Sequence, residues 1–468
     1  MKKGVSNFMD KVEQLEQNCW TVLSPEEKVA VHKIAGQYLK FLNASKTERE
    51  AVDYIYEQAC QAGFIPLQEC TELKPGQKVV MQDKGKVCTL IIIGKDSMEE
   101  GINIVASHID SPRLDLKARP LYEEEGLAWL KTHYYGGIKK YQWLAIPLAL
   151  HGVVIKKNGE KVSIVIGEKE EEPVLTIADL LPHLAKEQME KKMSEAISGE
   201  GLNALVGSIP MDGESKSPVK NYIMQLLRDR YDIEEEDFTS AELELVPAFP
   251  AREVGLDRSL IGGYGQDDRV SAFASLQAVL EVANPYRTVV CLFADKEEIG
   301  SVGNTGLHSL LIENLLTEIL HRAGITSYLG LRRCLANSFA LSADVNAAVD
   351  PNYPEVFEKR NCSFLSRGVV LTKFTGSRGK AESSDANPEF LGRIRKLLEE
   401  AGVCWQVGEL GKVDIGGGGT VAQYLAYYGM EVLDCGVAVM GMHSPFEIVS
   451  KADLYMSFKA YRAFMQDF

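Results

Sequence analysis

An α/β fold interrupted by a β-rich insertion is what this sequence predicts, on three observations. The run 288–294 is short, apolar, partly β-branched and bounded by turn signals, so it reads as a buried parallel strand. Helix-like stretches flank it, at 270–282 before and 309–321 after. Between about 113 and 250 this rhythm gives way to short alternating strands. At 468 residues the chain exceeds one ordinary domain. The expected division is 1–112 and 251–468 as two parts of one domain, with 113–250 inserted as a second, β-rich one.

Taken in order, 5–62 reads as helices. Ser24-Pro25-Glu26-Glu27 places an N-cap, an N1 proline and early acids in sequence. Thr47 with Glu50 forms a capping box, and Gly63 closes that helix. Strands are expected at 78–82, 87–94 and 102–107, separated by glycine turns. The insertion begins with strands at 114–118, 144–155 and 162–166 and a tight turn at Tyr134-Tyr135-Gly136-Gly137. Charge clusters at 168–172 and 234–237 read as solvated surface, and 211–218 as an exposed loop. Beyond 251 come strands ahead of Asp344, at 369–374 and, last, at 432–439. A helix at 388–401 ends at Gly402, four glycines at 416–419 open a helix near 422–427, and a final helix starts near Ser450 with Asp453 in its first turn.

Composition narrows the function. Lys and Arg number 51 against 66 Asp and Glu, a net charge of -15, which argues against a nucleic-acid partner. No apolar run reaches about 18 residues, so no membrane span is expected. Residues 1–20 lack the apolar core of a secretory signal. Nine cysteines without a C-x-x-C pair fit a reducing, cytoplasmic setting and offer neither disulfide framework nor zinc finger. A bound metal would need His, Asp and Glu.

Such residues recur after strand-like runs or in glycine-rich loops: His108 with Asp110, Asp267 with Asp268, Glu297 with Glu298, Asp344 and His443. His108 and Asp110, two apart on an extended segment, point the same way, and a carboxylate is the usual partner of a metal-bound imidazole. Glu297 and Glu298 sit just past the carboxyl end of a strand, where open α/β sheets bind ligands. Each pair alone is more often a solvated polar turn. Five of them supply two imidazoles and three carboxylates, with one glutamate spare. That suits two zinc-like ions sharing a bridging carboxylate and a water, with the spare glutamate as general base. Gly416 to Gly419 could cradle a phosphate, but no G-K-[ST] follows, so close packing or a substrate loop is the better reading.

These motifs resemble those of the aspartyl aminopeptidase and vacuolar aminopeptidase I family of metallopeptidases, and the chain is similar to its bacterial-type members over nearly its whole length. The resemblance rests on SHIDSPR at 107–113, YYGGI at 134–138, GQDDR at 265–269, EEIGS at 297–301, SADVNAAVDPNY at 342–353 and GMHSP at 441–445. It implies a mixed-sheet catalytic domain of the zinc aminopeptidase type with an inserted dimerisation domain. It further implies two divalent metal ions, zinc first, with manganese or cobalt also accepted by such ligands. His108 and Asp344 would bind one ion, Glu298 and His443 the other, with Asp267 bridging. Glu297 would be the general base and Asp110 would orient His108. His183 and Lys373 would contact peptide substrate, and homo-oligomers, dodecamers built from dimers, are implied. Two positions depart from the acidic-specific pattern: Lys380 stands where a tyrosine is expected, and Ala347 where another member has a histidine. Both line the substrate pocket, so release of acidic residues (Asp or Glu) and of neutral or apolar ones both remain open. A deacylase or carboxypeptidase on the same metal architecture, and a non-catalytic scaffold, are the other readings; the intact Glu297 argues against the scaffold.

Overall fold

The computed structural model describes residues 17–382 and 384–468; the helix expected over 5–16 lies outside them. The chain forms two compact units: Met1–Asp110 with Ala251–Met442 and Phe446–Phe468, and Ser111–Pro250 with His443–Pro445.

The first unit is built on a nine-stranded sheet. Its strands are β1 (Ile65–Pro66), β2 (Lys78–Asp83), β3 (Val87–Ile92), β4 (Asn103–His108), β5 (Val289–Ala294), β6 (Phe339–Ser342), β7 (Val369–Thr372), β8 (Trp405–Val407) and β9 (Glu431–Gly436). Their spatial order is β1-β2-β3-β5-β4-β6-β9-β7-β8. The central run β5-β4-β6-β9 is parallel, while β3 joins β5 and β7 joins β9 antiparallel. The expected parallel strand therefore has one parallel and one antiparallel neighbour, and the sheet is mixed. Every residue of β3, β4 and β5 is buried, because helices cover both faces. Helices Pro25–Ala44, Gln266–Glu281, Pro388–Glu400 and Lys451–Asp467 pack one core. Leu311–Arg322, Tyr328–Ala336 and Ala422–Ala426 pack the other. Both expected capping boxes form, Ser24 with Glu27 and Thr47 with Glu50.

Two expectations fail here. The run 432–439 divides into β9 and the short strand Ala438–Val439, and it is not the last strand. Glu447–Ser450 follows and pairs with Leu260–Gly263, ahead of the Asp267 loop. Helix Tyr328–Ala336 was not foreseen.

The second unit is a six-stranded sheet in the order Lys161–Ile166, Leu148–Ile155, Ala241–Pro247, Arg113–Glu124, Leu127–Tyr135, Ala204–Gly207. All its pairings are antiparallel. Tyr134 and Tyr135 end a strand, and the turn expected there begins at Gly136, with φ 72. Helix Pro218–Tyr231 starts where only a loop was read. Its apolar face is broken by Lys220, Asn221, Arg228 and Arg230, and only Val219 and Met224 are buried, so the sequence pattern is faint. Among the described residues no helix is long and apolar enough to cross a membrane.

Candidate metal centre

Within the first unit, the parallel run brings three chain segments to one sheet edge. His108 is the last residue of β4, Glu297 and Glu298 form a tight turn after β5, and Asp344 lies two residues past β6. Asp267 enters from the turn that opens helix Gln266–Glu281, where Asp267 and Asp268 keep non-helical backbone angles. Ligands in open α/β sheets bind outside this carboxyl edge.

The His108 ring is buried among carboxylates. Its Nε2 lies 3.1 Å from Asp267 Oδ1, 3.8 Å from Asp344 Oδ1 and 4.0 Å from Glu297 Oε2. Its Nδ1 faces the Asp110 carbonyl oxygen at 3.1 Å and the Asp110 carboxylate at 3.4 Å. That carboxylate also accepts the backbone N–H groups of Glu297 and Glu298, each at 3.2 Å. Asp110 thus ties the histidine strand to the glutamate turn. His108, Asp267 and Glu298 can each turn one ligand atom within 4.8 Å of the others, and so can His108, Asp268 and Asp344.

Two acids that sequence reasoning left without a role join the site. Asp268 is fully buried and accepts the His108 N–H at 3.2 Å. Its signal was present in GQDDR, where either aspartate could have faced the ring. Glu447 is buried and accepts the Asp267 N–H at 3.2 Å. Nothing local marks Glu447, which reaches Asp267 only through strand pairing.

Burial opposes a charge on His108, but hydrogen bonds to Asp110 and Asp267 and the charge of Asp344 outweigh it and hold its pKa well above the ordinary value. Burial, with repulsion from neighbouring acids, pushes Asp268 and Asp344 well up despite the attraction of His108.

His443 falls in the second unit, where its Nδ1–H donates to the Gly137 carbonyl at 2.8 Å. In the same unit Arg113 stacks on the Tyr135 ring at 3.9 Å and bonds Asp115 at 2.8 Å, linking SHIDSPR to YYGGI.

Comparison with known proteins extends the pattern to the whole chain. The family described as aminopeptidase I zinc metalloprotease (M18) matches residues 41–465. The chain belongs to this family. A probable M18 family aminopeptidase 1 of Clostridium acetobutylicum is 49% identical over 456 residues, 96% of this chain and 98% of that protein. The crystal structure of an M18 family aminopeptidase from Thermotoga maritima has a TM-score of 0.93 and 47% identity, covering 97% of this chain and 99% of that one. The mApe1 dodecamer of S. cerevisiae shares the fold, with a TM-score of 0.73 at 22% identity. As an M18 member the chain is a hydrolase, a metal-dependent aminopeptidase acting on the N-terminal residues of peptides.

The residues of the His108 cluster fit zinc. The donor set is imidazole and carboxylate, the ligand types zinc takes in peptidases. Acids this close and this buried must be neutralised, by protons or by a bound cation, since their charges are otherwise repelled and desolvated.

The substrate residues named by resemblance fare differently. His183 is exposed, in a turn closed by Leu184 N–H to the Leu181 carbonyl at 3.0 Å. Lys373 is exposed at the end of β7 and borders a hollow of about 410 Å³ with Trp405 and Arg395. Lys380 is engaged locally: its Nζ lies 2.9 Å from Asp385 Oδ2 and 3.9 Å from the centre of the Phe374 ring.

Proposed function

We propose that this M18 aminopeptidase holds two zinc ions. His108 and Asp344 serve one, Glu298 and His443 the other, and Asp267 is shared. What supports a metal centre here is the pair of groups around His108, one with Asp267 and Glu298 and one with Asp268 and Asp344, while the place of His443 and the sharing of Asp267 rest on the resemblance. When bound, the ions supply a Lewis acid for the scissile carbonyl and a water acidified for attack. Glu297, whose backbone N–H donates to Asp110, would serve as the general base, taking a proton from the attacking water and giving it to the leaving amine. Asp110 and Glu447 fix the His108 and Asp267 segments so that neither ligand reorients.

For the released residue, the acidic reading leaned on Lys373 and Lys380. With Lys380 paired to Asp385, the neutral or apolar reading is the one we favour. Lys373, with Arg378 close by in sequence, is a cation that could still select Asp or Glu.

The inserted unit we read as the oligomerisation surface, towards a dodecamer. Around His183 it exposes Leu180, Leu181, Leu184, Met189 and Met193, the last two at 75% and 65%. Apolar side chains so exposed and so close in sequence are usually covered by a partner. The S. cerevisiae relative was solved as a dodecamer. Nine free cysteines suit the cytoplasm.

The test is one preparation, stripped by chelator and reloaded with zinc, manganese or cobalt, assayed on Leu-, Asp-, Glu- and Lys-anilides and on N-acylated amino acids. Two zinc ions per chain and Leu-anilide turnover at least tenfold above Asp-anilide are expected. Preferred cleavage of the N-acyl substrates would replace the reading with a deacylase. One ion at full activity would remove the two-metal centre.

A further inference from the structure

The inserted unit contains a cavity of about 440 Å³ between helix Pro218–Tyr231 and its sheet. Its floor is aliphatic and shut off from water: Leu130, Leu150, Ile164 and Leu243 come from four strands and none exceeds 5% exposure. Ile223 and Leu227 of the helix form the roof. Such a volume is in the range of small-molecule sites, about 300–1,000 Å³, and far above the voids of a packed interior.

The space is held open at both ends. At the start of the helix, Glu123 Oε2 accepts the N–H groups of Val219 and Lys220 at 2.8 and 3.0 Å. Close by, the helix touches the sheet at Gly207, where a Cβ would meet Ile223 Cδ1 at 2.7 Å. At the other end Arg230 pairs with Glu172 at 2.8 Å, the Tyr231 hydroxyl donates to the Val165 carbonyl at 3.3 Å, and Lys156 pairs with Asp232 at 2.6 Å. Pinned at both ends, the helix cannot settle onto the floor without breaking these contacts. An apolar space that cannot collapse gains dispersion contacts along its lining when an apolar ligand fills it.

We propose that this cavity is a binding site for a small uncharged apolar molecule, an aliphatic chain or an aromatic ring system. The rim decides against a charged ligand. Its Arg230 is paired with Glu172, Glu172 also accepts the Gly167 N–H, and the lining Asp229 accepts from the Gln225 side-chain amide at 2.6 Å, so each of these groups is already engaged. Leu226, 47% exposed, marks the water side of the helix, where the polar end of an amphiphile would stay.

The experiment uses the full chain and the fluorescent probe N-phenyl-1-naphthylamine. Saturable binding of one probe per chain is expected, displaced by n-decanol and displaced at least tenfold less well by decanoate. Leu227→Trp and Val206→Phe fill the space from roof and floor. Each should weaken the probe at least tenfold, with molecular mass and anilide hydrolysis unchanged. Non-saturable binding, or equal affinity in both variants, overturns the site. Decanoate competing better than decanol overturns the uncharged class. A fall in oligomer mass in both filled variants would mean that a second copy occupies the cavity, and the small-molecule proposal would fail; decanol competition on the unsubstituted chain does not depend on either variant folding.

Discussion

In the first unit, Asp268 and Asp344 are buried beside His108 although each would be better hydrated in water. In the inserted unit, Leu184 and Met189 are 69% and 75% exposed although each would be better buried. Both regions therefore sit away from the burial rule, in opposite senses. A bound cation would neutralise the acids and a covering surface would take the apolar side chains out of water, the two roles proposed above. The same rule read in two directions separates chemistry from assembly.

The contrast breaks first at Asp267. Asp267→Ala should abolish turnover and release metal, measured by elemental analysis after gel filtration; a variant that kept two ions per chain would show that Asp267 is not shared. Glu297→Gln should be nearly as severe in rate, a fall of at least about 10²-fold in kcat. Its metal content should be unchanged, because the amide retains the shape but takes no proton. Near-native kcat would move the general base elsewhere.

Next comes Glu447→Gln, which keeps an acceptor for the Asp267 N–H but loses the charge. Partners of metal ligands are worth about 10- to 100-fold in metal affinity, so a shift in that range is expected from competition with a chelator. The sign with pH follows from the metal-free cluster. Asp268 and Asp344 hold protons more tightly than ordinary carboxylates, so protons compete with the metal and its retention should fall as pH falls. Retention that rose on acidification would contradict carboxylate ligation.

On the other side, Leu184→Asp should lower the oligomeric mass by light scattering while leaving metal content intact. Unchanged mass would show that this apolar cluster is not the covered surface. The smallest expected effect is at Ser24, whose hydroxyl accepts the Glu27 N–H at 3.1 Å. Ser24→Ala should cost about 1 kcal/mol of stability and nothing in kcat/KM.

The sequence by itself determined the local features whose physics is local. Capping at Ser24 and Thr47 depends on residues three apart, and both boxes form. The run of β5 is legible because a strand buried on both faces is apolar throughout. His108, Asp267, Glu298 and Asp344 were nameable because turns after strands and the motifs around them are short. Tertiary structure alone decided the rest. Asp268 became a partner of His108 through the backbone geometry of the Asp267–Asp268 turn, and Glu447 reached Asp267 through a strand pairing across some 180 positions. Lys380 meets Asp385 through the fold of its own loop. Helix Pro218–Tyr231 has too few buried positions to show in the pattern; what holds it is Glu123 at one end and Glu172 at the other, both distant in the chain. Local sequence carries propensity and chemistry, but which groups meet depends on chain segments whose spacing no short pattern encodes.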